Sequence, residues 1–123
     1  VKIMNNDEIC RLVKKALFAA DEAASLAYDG SIIDDELLKL RKEAGAVDTA
    51  RLGLSYMQTA KALIAVSGEP NPFFDRVSAQ YDAFVHEITR DFAEYHSHQW
   101  TLIEKDRLFE LVKDSEYEIS KTE

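Results

Sequence analysis

Glycine and proline are scarce in this chain: four glycines and two prolines among 123 residues. Tight hairpins draw on both residue types, so an all-β fold with its many turns is disfavoured from the outset. Long runs between the few breakers must instead be helical. Hydrophobic residues make up 46% and charged residues 31%, a balance suited to a packed core rather than to disorder. The length suits one domain and is too short for two ordinary ones.

The apolar spacing divides the chain into segments. Ile9, Leu12, Val13, Ala16, Leu17, Ala20, Ala24 and Ala27 recur at helical intervals. Asn6 is placed to cap that helix, and Gly30 to stop it. The second half of the stripe is alanine, which lets another helix approach closely. A short amphipathic helix is then expected from Ser31 or Asp34, with Ile33, Leu37, Leu40 and Ala44 on one face and Gly45 at its end. Asp48 would open a third segment. Between Leu52 and Val66 its only charge is Lys61, and Leu54, Ala62 and Ala65 lie off the main stripe. A helix apolar nearly all round belongs in a core or an interface. Gly53 inside it implies close packing.

Asn71 followed by Pro72 is a strong start signal. From there Phe74, Val77, Tyr81, Phe84, Val85, Ile88, Phe92 and Tyr95 make the clearest stripe in the chain. Thr101 and Glu104 fit a capping box for a last helix, so a break is expected between about His96 and Thr101. The expectation is an all-α, antiparallel helical bundle of four main helices plus one short helix. It spans residues 1–123 as one domain, with 1–5 and 121–123 frayed. The third and fourth segments should supply most of the core.

Net charge is −8, and acids flank the densest basic pairs, Lys14–Lys15 and Arg41–Lys42. Nucleic-acid binding is therefore disfavoured. Cys10 is the single cysteine, which excludes an intrachain disulfide and a cysteine-based zinc site. No N-terminal apolar run looks like a signal peptide, and the most apolar stretch is too short to span a bilayer comfortably. A cytoplasmic protein without a membrane partner is the expectation.

Chemistry-bearing residues concentrate in one stretch, RDFAEYHSH, from Arg90 to His98. Glu87, Asp91, Glu94 and His98 fall along one helical flank and are candidate ligands for a divalent ion. The plain alternative is a solvated acidic flank. Arg90-Asp91-x4-His96 resembles the Arg-x(4–6)-His motif, with a polar residue after the arginine, of the HEPN ribonuclease superfamily. That resemblance covers seven residues. It implies a small helical bundle in which Arg90 and His96 from two chains meet at a dimer interface and cleave RNA without metal. On a straight helix the two side chains point about 120° apart, so a working pair needs a kink or a second chain.

No glycine-rich phosphate loop or Gly-x-Ser-x-Gly setting occurs. The leading expectation is a non-catalytic interaction module without a cofactor, acting through a protein partner or as a homo-oligomer. Leu54, Ala62, Phe73 and Trp100 are the residues singled out for surplus apolar contacts. For Trp100 a plug at the end of the bundle is the favoured expectation, and an exposed anchor for a partner the alternative.

Overall fold

The structure, a computed structural model, describes residues 6–95 and 99–113. The described residues are helical apart from short turns. The helices are α1 (Asn6–Ser31), α2 (Glu36–Ser67), α3 (Pro72–Arg90) and α4 (Gln99–Val112). One π turn, Asp91–Tyr95, continues α3. The chain is an all-α antiparallel bundle, as expected. The ends expected to fray, 1–5 and 121–123, lie outside the described residues.

The short helix and the third segment are one continuous helix. Neither Gly45 nor Asp48 marks a boundary, because α2 runs 32 residues through both. Glycine is costly inside a helix but does not terminate one when tertiary packing holds it. The true start is Asp35, whose carboxylate accepts the Leu38 N–H at 2.9 Å. The true end is Gly68, at φ 76°, whose N–H bonds Ile64 and Ala65 carbonyls. Gly30 likewise does not stop α1, which continues to Ser31. Asn71 does cap α3, accepting the Phe74 N–H at 3.0 Å, with Pro72 at the first helical position.

The centre of the molecule is the seam between α1 and α2. From α1 come Ile9, Val13, Ala16, Ala20, Ala23, Ala27 and Gly30. From α2 come Glu43, Ala46, Ala50, Gly53, Met57 and Ala60. Both series step by alternating threes and fours, the spacing of two helices that wind about each other. Most members are alanine or glycine, so the backbones lie close. A Cβ on Gly30 would stand 3.0 Å from Glu43 Cγ, and one on Gly53 3.0 Å from Ala19 Cβ. These two pairs also fix the antiparallel sense, since the partner on α2 advances as the residue on α1 recedes.

α3 supplies the bulk on the other side. Phe74, Tyr81, Phe84 and Ile88 are among the largest fully buried side chains. Tyr81 reaches α2 and donates to the Ala50 carbonyl at 2.9 Å, just where Gly53 leaves room. Burial pushes the Tyr81 phenol well above its ordinary pKa. α4 is tied to α3 by the Gln80 amide, which donates to the Glu104 carboxylate at 2.7 Å, and to α1 by Lys105 and Asp21 at 3.6 Å. The core thus rests on α1 against α2, topped by α3. The 48–67 stretch lends it small residues and Met57, with Leu54, Tyr56 and Ile64 packed partly buried against it, and leaves Leu52 and Val66 exposed. Its near-continuous apolarity reflects two faces, one in the seam and one open to solvent.

The two mid-helix glycines should respond oppositely to the same substitution. A Cβ at Gly45 meets nothing within 4 Å, so Gly45→Ala should stabilise by about 0.5–1 kcal/mol through helix propensity. A Cβ at Gly53 overlaps the Tyr81 phenol oxygen and lies 2.7 Å from Cζ, so Gly53→Ala should destabilise by about 2 kcal/mol or more despite the same propensity gain. Urea denaturation of the two variants checks both signs.

A second expectation concerns alkaline pH. The unfolded chain releases the Tyr81 proton above about pH 10, whereas the folded chain retains it. Stability from this group is therefore complete below pH 10 and falls as pH rises beyond it. Tyr81→Phe should flatten that alkaline decline, measured by denaturant titrations between pH 8 and 11.

Candidate functional site

The stretch around Arg90 folds differently from a plain solvated flank. Arg90 closes α3, and its guanidinium makes two bonds to the Glu87 carboxylate, at 2.9 and 3.1 Å. Glu87 is thus engaged by a cation one turn away. Asp91, expected on the same open flank, is fully buried. Asp91 keeps α-helical dihedrals and stands three residues after Ile88 and seven after Phe84, so the regular winding of α3 already sets it on the buried side, and the π turn follows from there.

The buried Asp91 carboxylate has a defined task. Its Oδ2 accepts the Thr101 backbone N–H at 3.1 Å and the Thr101 hydroxyl at 2.6 Å. Thr101 is itself fully buried and stands in the first turn of α4, where backbone N–H groups lack partners within the helix. A side chain ten residues upstream therefore caps α4. The expected Thr101–Glu104 capping box does not form, because Glu104 instead engages Gln80 and Arg107.

His96 and His98 lie outside the described residues, as does the side chain of Glu94. Of the four-residue metal set, Glu87 and Asp91 are described, and they diverge: one holds Arg90 near the surface, the other Thr101 in the interior. Among the described residues no three His, Cys, Asp or Glu side chains come together in a metal-holding group. For the ribonuclease motif, Arg90 would have to leave Glu87, and the polar residue after it is committed to capping α4.

The four apolar candidates separate as well. Phe73 is buried beside the α3 N-cap, with Arg76 over its ring at 5.5 Å, so it offers no surface to a partner. Leu54 packs against the core. Ala62 and Trp100 are exposed. Trp100, half exposed at the start of α4, does not plug the bundle.

A surface that the apolar stripes do not signal lies on the outer side of the α1–α2 hairpin. α2 turns Val47 and Leu54 toward the core and presents Thr49, Leu52 and Tyr56 to an open groove of about 420 Å³. α1 lines the other side with Phe18, Ala19 and Glu22, and with the cations Arg11, Lys14 and Lys15. Phe18 is 81% exposed and Leu52 53%. The Lys15 ammonium lies 5.7 Å from the centre of the Tyr56 ring, joining the two walls by a cation–π contact. The groove therefore combines an apolar rim with three cations and one carboxylate, in a chain whose net charge is −8. One sequence signal pointed here: Phe18 lies off the α1 stripe, on the side away from Val13, Ala16 and Ala20.

No family model matches the chain, and no curated protein or solved structure does either. Among the described residues no helix is long and apolar enough to cross a membrane.

The Asp91 cap makes a specific prediction. Asp91→Ala should cost about 2 kcal/mol, by loss of a charge-assisted cap and of the partner for a buried hydroxyl. Thr101→Val should cost about 1 kcal/mol. The double variant should lose less than the sum, because both remove the same bond. Asp91→Asn should retain much of the stability, since its amide oxygen can still accept the Thr101 N–H. Thermal and urea denaturation of the four variants would expose any other pattern.

Proposed function

We propose that this chain is a non-catalytic interaction module that acts through the outer face of the α1–α2 hairpin, with self-association as its mode. The observation that carries this reading is Phe18. An aromatic side chain left 81% exposed beside the half-exposed Leu52 forgoes the roughly 2–3 kcal/mol that its burial would contribute. The fold has no need of it there, because the seam beneath is complete with alanine. Contiguous exposed apolar groups rimmed by charge are the usual mark of a protein contact.

The arrangement of the hairpin supports the same reading. α2 carries apolar residues on two faces, and the second face is satisfied by nothing else within the described chain. The cations beside the groove would give a contact its orientation, since charged rims set register and approach more than affinity.

Light scattering coupled to size-exclusion chromatography, at about 10 and 300 μM, tests the proposal. The mass should rise above the 14.0 kDa of one chain at the higher concentration. Phe18→Glu should hold it at one chain while leaving the helical circular dichroism unchanged. A mass of one chain at both concentrations would overturn the proposal.

A further inference from the structure

The outer face carries two apolar patches, related by a constant step. The first is Phe18 on α1 with Leu52 on α2. The second is Ile32, the first residue of the turn after α1, with Leu38 on α2, 66% and 43% exposed. Phe18 and Ile32 are 14 residues apart, and so are Leu38 and Leu52. Fourteen residues are four turns of the 3.5-residue winding that the seam follows, so Leu38 and Leu52 lie on one side of α2, and Phe18 and Ser25 on one side of α1, with Ile32 one residue past its end. Residues 14 apart are separated by about 21 Å. Midway between the patches stand Ser25 on α1 and Gly45 on α2, seven residues from either end. Both are small, and a Cβ on Gly45 would meet no atom of the chain within 4 Å.

We infer that the occupant of this face is a second copy of the same chain, packed antiparallel about a two-fold axis that passes over Ser25 and Gly45. This rests on the proposed interaction role and specifies its geometry. A two-fold axis perpendicular to the helices, in the plane of the face, lays α1 on α1 and α2 on α2. It brings Phe18 of one copy onto Ile32 of the second copy, and Leu52 onto the second copy's Leu38, each twice. At the axis every residue meets itself, and the residues there are serine and glycine, the side chains that let backbones approach.

The charges agree with this arrangement. The same rotation brings Lys15, on the groove of one copy, level with the second copy's Asp34 and Asp35, in the turn before α2. The basic end of the face thus meets an acidic turn, and the parallel alternative would set like against like. The contact is two helices wide and about 30 Å long, roughly 600 Å² per copy. That is somewhat below the roughly 800 Å² per partner of standard interfaces, so a reversible, concentration-dependent dimer is the expected species.

Cysteine cross-linking of the full chain reads this geometry directly. Ser25→Cys and Gly45→Cys should each oxidise to a covalent dimer, because each meets its own copy at the axis. Phe18→Cys alone should not, since its two copies lie about 21 Å apart, well beyond disulfide reach. Mixed with Ile32→Cys protein, it should form a mixed disulfide. The parent chain, whose Cys10 is buried, serves as the control and should remain a single chain. Gly45→Arg, at an open helical position, should fold with the single chain melting no lower than the parent's, and should weaken association at least tenfold. A dimer that cross-links through Phe18→Cys alone, or that survives Gly45→Arg, overturns the geometry and leaves the interaction role standing. A chain that stays monomeric throughout overturns both.

Discussion

Everything in this fold depends on how closely α1 and α2 approach. The seam is built of alanine and glycine at alternating threes and fours, and it gains little from any one side chain. Its stabilisation comes from many short contacts between backbones, each small and jointly large. Such a seam is also nearly featureless, since one alanine resembles the next after a shift of one heptad. The features that fix its register are the irregular ones. Glu43 lies fully buried opposite Gly30, and Tyr81 from α3 fills the space that Gly53 leaves. A shift by seven residues would set a side chain against each of them. A buried polar residue at a seam position is a known means of selecting one register, and Glu43 is placed to serve so.

The seam also explains why the outer face is open. A pair of helices packed through alanine needs no flanking apolar residues to close it, and α3 and α4 cover only one side. Large side chains on the opposite side, Phe18 and Leu52 among them, are therefore surplus to the monomer. The Asp91 cap plays the corresponding part at the other end of the chain, holding α4 against α3 from the position that continues the buried stripe of Phe84 and Ile88. The stretch richest in reactive residue types is thereby bound up with folding at its described positions.

Legibility in the sequence followed physical lines. Local signals read well: Asn71–Pro72 starts α3 because both the cap and the fixed φ of proline act within one turn. The aromatic stripe of α3 faces the core as its spacing implies. Gly30 misled because a glycine that ends a helix and one that admits a neighbouring helix are the same letter, and only the neighbour distinguishes them. Gly45 misled because a long helix carries one glycine at an open position for only a modest loss of propensity. The unity of α2 was hidden because the stripe read at its start, Leu37, Leu40 and Ala44, lies on the exposed side, while the buried series begins at Glu43 and Ala46 on a different side. Asp91 looked solvated because it is an acid in line with Glu87 and Glu94, although its spacing from Phe84 and Ile88 sets it on the buried side. What settles its burial is Thr101, a partner on another helix. The open face went unread for a related reason: exposure of Phe18 is a property of what does not cover it.

The layout of the seam bears finally on how the chain comes to be folded. α1 and α2 are joined by a turn of four residues, 32–35, so their contacts can form in sequence from that turn outward, each closing only a slightly longer loop than the last. Chains dominated by such near-neighbour contacts fold fast. α3 and α4 then dock on a hairpin already present. Changes at Ala20, Ala23 or Ala50 would act mainly on the rate of folding, and changes at Asp91 or Leu108 mainly on the rate of unfolding. The hairpin would bear its exposed aromatic from the first moments of assembly, before half of the chain has found its place.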